Sequence, residues 1–139
     1  MSNVSMSTEL AVTADQVWSV IGNFNALAQW HPAVESSSLE EGGTVRRLTL
    51  AGDGGEIVER LQHHDDQSRS YTYSILQGPI PVEDYVSTLT VREAESGVGC
   101  VVEWSSEFTP SGAPESEAVA AVRGIYEAGL ENLKKMLGM

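Results

Sequence analysis

Two charged side chains occupy positions where the alternation of a strand predicts a buried face. Arg46 shares its face with Leu48 and Leu50, and Glu59 shares its face with Leu61. Residues two apart on a strand project to the same side of a sheet, so the apolar neighbours carry each charge inward. A buried ion is strongly destabilising unless it is paired and hydrogen-bonded. The sequence therefore predicts an interior that is partly hollow, an apolar cavity with a few polar groups.

Arg46 and Glu59 lie on consecutive predicted strands, so a direct ion pair between them is geometrically reasonable. In a functional role, Arg46 would donate a charge-assisted hydrogen bond to a ligand oxygen while Glu59 orients the guanidinium. In a structural role, the pair would only fix the sheet, and the sequence leaves both roles open. In the functional role, loss of the Arg46 side chain is expected to impair binding more than thermal stability.

Aromatic and polar residues on the same predicted faces extend the candidate site. Tyr73 or Tyr85 would donate a hydrogen bond to a carbonyl group, although packed core tyrosines fit the same pattern. His31 is a candidate general base because imidazole titrates near neutrality, and a loop histidine held by packing is the alternative. Candidate catalytic residues are thus Arg46, Glu59, His31 and Tyr73. The candidate ligand-binding residues are Trp30, His31, Arg46, Leu48, Glu59, Tyr71, Tyr73, Ile75, Tyr85, Ser87, Leu89, Trp104, Val122 and Tyr126.

Other residues with reactive side chains lack the context that their chemistry needs. The run His63-His64-Asp65-Asp66 contains metal-ligand types, but neighbouring strand residues point apart and a closed zinc site needs four converging ligands. Gly52-Asp53-Gly54-Gly55 has no following lysine or helix and is typical of a turn. Cys100 has no basic neighbour in sequence that would lower its pKa. We expect no metal site and no fixed cofactor.

Helical signals lie at both ends of the chain. Val4–Leu10 alternates as an opening strand, and Thr13–Gln16 reads as a capping box that starts a short helix. One further turn is predicted over Ala26–Trp30. The segment from Glu115 to about Met136 carries an apolar stripe and predicts a helix roughly 30 Å long.

The middle of the chain alternates apolar and polar residues between turn signals. Short strands joined by tight turns favour a continuous antiparallel sheet. The predicted strands are Val34–Glu41, Thr44–Leu50, Glu56–His63, Ser70–Leu76, Tyr85–Arg92 and Cys100–Thr109, with a polar turn at His64–Ser68.

The order of these elements matches that of a known superfamily. The matching pieces are Trp30-His31-Pro32, Val45–Leu50, Val58–Leu61, Tyr71-Thr72-Tyr73, Gly78–Pro81 with Tyr85, and Trp104. The chain resembles the START-related (SRPBCC) superfamily, which includes the major birch-pollen allergen and polyketide cyclase/dehydratase-like proteins. The resemblance implies an α+β helix-grip fold: about seven curved antiparallel strands wrapped around a long C-terminal helix, with two short helices after the first strand. It also implies a ligand cavity between sheet and helix, but no single function.

Composition sets limits on the partners. The 139 residues predict a single domain, 1–139, and the formal charge of −12 arises from 20 acidic and 8 basic residues. This balance repels phosphate backbones and anionic lipids, so neither nucleic acid nor membrane insertion is expected. No apolar run approaches the ~18 residues of a membrane span, and the lone Cys100 excludes an internal disulfide. A cytoplasmic, acidic protein is expected, as a monomer or a weak homodimer.

Three functions remain open at this point. The first is binding of a small apolar or aromatic metabolite in the cavity, without a fixed cofactor. The second is a polyketide cyclase/dehydratase-like enzyme, in which Arg46 and a tyrosine polarise a carbonyl while Glu59 or His31 moves the proton. The third is a protein-interaction or stress-response module.

Overall fold

The computed structural model describes residues 1–137, so the predicted domain 1–139 extends two residues beyond the described part. One sheet is formed by seven strands in the order β1-β7-β6-β5-β4-β3-β2, and all neighbours are antiparallel. The elements are β1 (Ser2–Leu10), α1 (Ala14–Ile21), α2 (Leu27–Trp30), β2 (Val34–Glu40), β3 (Val45–Leu50), β4 (Glu56–Asp65), β5 (Ser70–Gln77), β6 (Val82–Glu93), β7 (Cys100–Pro110) and α3 (Glu115–Met136). This is the helix-grip α+β fold that the sequence predicts.

The start of α1 follows from its first residues. Thr13 accepts a hydrogen bond from the Gln16 amide at 3.1 Å, and the Gln16 side chain accepts one from the Thr13 amide at 3.0 Å. This reciprocal capping box satisfies two backbone donors that the helix leaves unpaired. The predicted capping box is confirmed.

Alternation along the strands directs one face of the sheet toward α3. On β7, Val102, Trp104 and Phe108 are fully buried, whereas Glu107 between them is exposed. The polar outer face and apolar inner face give the register that the sequence predicts.

Three predicted strand boundaries are wrong by two or three residues, and the first is the start of β1, at Ser2 rather than Val4. Strand β4 continues to Asp65, so the turn begins after the predicted start at His64, and β6 begins at Val82 rather than Tyr85. Irregularities in the ladder explain the other two, since β4 shifts register between Leu61 and His63 and β6 shifts between Glu83 and Val86. Met136, at the end of the predicted apolar stripe, is 46% exposed.

The terminal helix α3 packs mainly against β1 and β7, at one end of the sheet. It packs closely at Gly129, where a methyl group would lie 2.7 Å from His31 Cδ2 and 2.9 Å from Trp104 Cζ3. Toward β3, β4 and β5 the helix and the sheet diverge. This divergence leaves a pocket between them, and the pocket contains the candidate site.

Candidate functional site

Arg46 and Glu59 form a buried ion pair across β3 and β4. The two residues are direct partners in the antiparallel register, and Arg46 Nε donates to Glu59 Oε1 at 2.7 Å. Arg46 Nη2 lies 2.6 Å from the same oxygen, a contact that is electrostatic rather than an aligned hydrogen bond. Arg46 is 0% exposed and Glu59 is 5% exposed. Both charges therefore point inward, as the alternation predicts.

Aromatic side chains and a backbone carbonyl enclose the guanidinium of Arg46. Its Nη1 donates to the Phe24 carbonyl at 2.7 Å, and its Cζ lies 4.2 Å from the centre of the Phe24 ring. The Tyr73 and Tyr71 rings lie 4.8 and 5.7 Å away. Burial opposes the charged form, but Glu59 and the two tyrosines outweigh it and raise the pKa of Arg46. Arg46 therefore stays positively charged and is fully buried next to Glu59.

The pocket between the sheet and α3 has a volume of about 350 Å³. Glu59 is the one charged side chain on its wall within the described chain, and most of the other lining residues are aliphatic. The lining residues are Leu27, His31, Ala33, Val34, Leu48, Leu50, Ala51, Gly54, Ile57, Glu59, Tyr73, Ile75, Pro79, Ile80, Tyr85, Trp104, Ala121 and Ile125.

Turns that flank the sheet form the mouth of the pocket. Ala51, Gly54 and Pro79 are exposed, and Ala121 on α3 is half-buried. The mouth therefore lies between the β3–β4 turn, the β5–β6 turn and the middle of α3.

His31 lines the pocket, but both of its ring nitrogens are already bonded to backbone. Its Nδ1 accepts from the Ala33 amide at 3.1 Å, so Nε2 carries the proton and donates to the Ile125 carbonyl at 2.7 Å. Burial lowers the pKa of His31, partly offset by the Ile125 bond. No lone pair remains to take a proton from a substrate, so the geometry does not support His31 as a general base. It anchors the α2–β2 segment to α3.

The Tyr85 hydroxyl belongs to a chain of buried hydroxyl groups. Ser87 Oγ donates to the Ser105 carbonyl at 3.0 Å, which leaves Ser87 Oγ as acceptor for Tyr126 at 2.8 Å. Tyr126 must then accept the proton of the Tyr85 hydroxyl, with which it is in short contact. Burial raises the pKa of Tyr126 to about 12, so the chain stays protonated at neutral pH. The Tyr85 hydroxyl proton is therefore already used in a hydrogen bond to Tyr126 and is not available to a ligand.

Unlike Tyr85, Tyr73 does not donate its hydroxyl proton to another group of the described chain. The Tyr73 hydroxyl oxygen accepts from Trp104 Nε1 at 3.1 Å, and within residues 1–137 no acceptor receives its own proton. Burial, reinforced by the charge of Glu59, raises the pKa of Tyr73 well above its usual range. Tyr73 therefore presents a neutral O–H donor on the pocket wall.

Glu59 likewise keeps part of its bonding capacity unused. Both contacts with Arg46 are made through Oε1, and in the described part of the chain Oε2 has no hydrogen-bonding partner. Burial raises the pKa of the Glu59 carboxyl, and the Arg46 guanidinium opposes that rise. A carboxyl held in this way can accept a hydrogen bond from a molecule in the pocket.

The structure brings half of the predicted ligand-binding residues to the pocket. Those that line it are His31, Leu48, Glu59, Tyr73, Ile75, Tyr85 and Trp104. The others are packed behind the wall: Tyr71 lies beside Arg46, and Tyr126 is bonded to Ser87. Outside the lining are Trp30, Arg46, Tyr71, Ser87, Leu89, Val122 and Tyr126. Of the two charged residues predicted to meet a ligand, Glu59 lines the pocket and Arg46 does not.

Several lining residues are not among the predicted ligand-binding residues. Leu50 and Ile57 follow from strand alternation, since they share faces with Arg46 and Glu59. Ala51, Pro79 and Ala121 lie in turns or on α3, where strand alternation does not apply. Only the way that α3 diverges from the sheet brings them to the mouth.

The residues considered for metal or thiol chemistry are separated from the pocket. His64 Nε2 bonds with the Gly22 carbonyl at 2.8 Å, and residues 1–137 contain no group of three or more side chains suited to hold a metal ion. Cys100 is buried, and burial raises the pKa of its thiol. Among the described residues, no helix is long and apolar enough to cross a membrane.

The fold is a helix-grip α+β domain with a pocket between its sheet and its terminal helix. The chain matches the family model described as polyketide cyclase / dehydrase and lipid transport over residues 1–138. It therefore belongs to this polyketide cyclase/dehydrase and lipid transport family.

Solved structures place this chain near two proteins from Bacillus. It is 42% identical to the protein XoxI from Bacillus cereus, with a TM-score of 0.94 over 99% of this chain and 96% of that chain. It is 43% identical to an uncharacterized protein from Bacillus thuringiensis, with a TM-score of 0.93 over 98% of each chain. A START superfamily protein from Mycobacterium smegmatis, 14% identical, shares the fold with a TM-score of 0.77 over 97% of this chain and 96% of that one. No match was found among curated proteins.

Proposed function

We propose that this protein binds a small apolar or aromatic molecule in the pocket between its sheet and α3. The observation that carries the proposal is a pocket of about 350 Å³ in which one carboxyl group is set among mostly aliphatic side chains. Sites for small molecules typically have volumes of roughly 300 to 1,000 Å³, with an apolar wall and a few polar groups that fix orientation. The pocket has this composition.

The surroundings of the polar groups favour binding over a purely structural role. Glu59 Oε2 and the Tyr73 proton lack partners within residues 1–137, although both residues are buried. A ligand that covers these groups must offer them hydrogen bonds, because a polar group left unpaired on burial costs about 1 to 3 kcal/mol.

Native mass spectrometry of the protein purified from the organism that makes it tests this proposal. A co-purifying small molecule, lost on mild denaturation, is the expected result. A clean apo mass, together with no saturable binding of two-ring aromatic compounds at millimolar concentration, would overturn the proposal.

An enzymatic reaction in the same pocket is the second candidate, and one observation favours it. Glu59 is a carboxyl whose pKa is raised by burial, and it shares the pocket wall with the neutral hydroxyl of Tyr73. Such a pair is suited to move a proton beside a polarised carbonyl. In this case Tyr73 would polarise the carbonyl and Glu59 would transfer the proton, and Arg46 would act only through Glu59.

Incubation of the co-purified molecule with fresh protein separates these two functions. Recovery of the unchanged compound supports binding, whereas a new mass that appears with wild type and not with Glu59→Gln supports catalysis. The third function, a protein-interaction module, is not favoured by the exposed apolar side chains. Among the described residues these are Met1, Leu39, Leu76, Val86, Val98 and Met136, and only two of them, Leu76 and Val86, lie on strands that pair with each other.

A further inference from the structure

The polar groups on the pocket wall restrict the chemistry of the ligand. Five lining side chains carry polar atoms, and three of them already donate their N–H or O–H proton within the protein. His31 uses both ring nitrogens on backbone, Tyr85 gives its proton to Tyr126, and Trp104 gives its N–H to Tyr73. On the described wall, Glu59 therefore supplies the charged acceptor and Tyr73 the O–H donor that is free to meet a ligand.

These two residues offer opposite halves of a hydrogen-bonding site. Glu59 Oε2 is an acceptor, because Oε1 alone makes the contacts with Arg46. Tyr73 offers a donor, because its oxygen is occupied by Trp104 while its proton has no acceptor within residues 1–137. An incoming group that both donates and accepts would satisfy the two together.

The strand register places both residues on the same wall. Glu59 pairs with Ile75 across β4 and β5, and Tyr73 precedes Ile75 by two residues on the same face. Glu59 and Tyr73 are therefore diagonal neighbours, whose Cα atoms stand roughly 7 to 8 Å apart in a sheet. Side chains of this length at that separation can both reach one atom in the pocket.

We propose that the ligand carries a hydroxyl group, which donates its proton to Glu59 Oε2 and accepts the proton of Tyr73. This inference rests on the proposed binding function and adds the polar group that the apolar ligand presents. Arg46 does not touch the hydroxyl. It holds Glu59 Oε1, and thereby directs Oε2 to the ligand.

Other oxygen-containing groups match this pair less well. A ketone or an ether can accept a hydrogen bond from Tyr73, but it would cover Glu59 Oε2 without offering it a donor. Binding sites discriminate strongly against ligands that leave a buried polar group unpaired. A carboxylate would be repelled by Glu59, because like charges in a site of low polarity are unfavourable. A phenol or an alcohol on an apolar frame is the class that remains.

Matched probes test the inference on the wild-type protein without any substitution. The three probes are 2-naphthol, 2-methoxynaphthalene and naphthalene, which share a two-ring frame and differ only in the polar group. Affinities are measured by calorimetric titration, and amide shifts of Ile75 and Ile125 locate the probe in the pocket. We expect 2-naphthol to bind at least tenfold more tightly than 2-methoxynaphthalene, since a hydrogen bond to a charged group separates the two.

Three variants assign this preference to residues. Glu59→Gln is expected to reduce the ratio of the affinities for 2-naphthol and 2-methoxynaphthalene to less than threefold. Tyr73→Phe is expected to reduce the same ratio severalfold. Tyr85→Phe is the matched control: it also removes a hydroxyl from the wall, but one already bonded to Tyr126. It is expected to change the affinities for 2-methoxynaphthalene and 2-naphthol by a similar factor and so preserve their ratio.

The binding results distinguish a failure of the hydroxyl inference from a failure of the proposed binding function. Equal affinities of the three probes, with shifts at Ile75 and Ile125, would overturn the hydroxyl inference and leave the binding function intact. No saturable binding of any probe, together with a clean apo mass of the native protein, would overturn both. If Glu59→Gln does not fold, the ratio of affinities in wild type still decides the question.

Discussion

Arg46 and Glu59 are direct partners across β3 and β4, yet only Glu59 reaches the pocket. The Arg46 guanidinium is covered by Phe24 and Tyr71, so it neutralises the carboxyl from behind. This arrangement exchanges the roles that the sequence suggests, in which Arg46 contacts a ligand and Glu59 orients it. Arg46 is a positioning residue, and Glu59 is the group available to a ligand.

Removal of Arg46 alone is expected to destabilise the fold strongly. In Arg46→Met the Glu59 carboxylate stays buried without its counter-charge, which typically costs about 3 to 5 kcal/mol. Urea unfolding followed by circular dichroism measures the change in the free energy of unfolding. The sequence suggests a larger effect on binding than on stability, and the structure leads us to expect a large loss of stability.

The double variant Arg46→Met/Glu59→Leu is the control for this prediction. It removes both charges and leaves an apolar pair of similar volume, which is often nearly neutral for stability. We expect it to recover most of the stability lost in the single variant. A double variant as unstable as Arg46→Met would show that packing around the guanidinium, rather than the unpaired charge, dominates.

Alanine substitutions at two glycines of α3, Gly129 and Gly124, are expected to have opposite effects on stability. A methyl group at Gly129 would lie 2.7 Å from His31 Cδ2, 2.9 Å from Trp104 and 3.1 Å from Trp30, all of them ring atoms. Gly129→Ala is therefore expected to destabilise by about 1 to 3 kcal/mol, although alanine favours helix by up to about 1 kcal/mol. Gly124 is exposed, with open space around it, so Gly124→Ala should stabilise the protein. Thermal unfolding of both variants measures the contrast, and equal shifts would argue against close packing of α3.

The lowered pKa of His31 is expected to make the stability of the protein depend on pH. Burial lowers the pKa of His31 in the folded protein below its usual 6.5, so the unfolded chain takes up a proton first as the pH falls. The stability associated with a neutral His31 is fully present above about pH 6.5 and is lost as the pH falls through the folded-state pKa. Thermal midpoints measured from about pH 7.5 to 5 should therefore decline in wild type.

His31→Gln should flatten this decline, because its side chain does not titrate. The exposed His63 provides the matched control, and His63→Gln should keep the wild-type slope. Identical slopes for the His31 variant and wild type would show that other groups cause the decline.

The sequence predicts the strands well because their geometry is local and periodic. The inward direction of Arg46 and Glu59 follows from the same alternation, and so does their pairing on adjacent strands. Which of the two faces the pocket depends on Phe24, which reaches Arg46 from a segment 22 residues away along the chain. Such a contact between distant segments leaves no periodic signal.

The role of His31 is likewise invisible in the sequence. Its Nε2 bonds to the Ile125 carbonyl, 94 residues away, and only the docked position of α3 makes this bond available. The sequence identifies an imidazole beside the cavity but cannot reveal that both nitrogens are engaged. Tertiary packing therefore decides between a general base and an anchor.

Ala121 offers a way to close the pocket without touching its polar groups. It lines the pocket from α3 and is half-buried, so a larger side chain there would project into the space that a ligand needs. Ala121→Leu is expected to weaken binding of 2-naphthol at least tenfold while the thermal midpoint stays within a few degrees of wild type. The matched control is Ala120→Leu, because Ala120 is exposed, precedes Ala121 on the same helix and does not line the pocket. Calorimetric titration of both variants measures the difference. Equal affinities for 2-naphthol in the two variants would place the bound probe outside the space between α3 and the sheet.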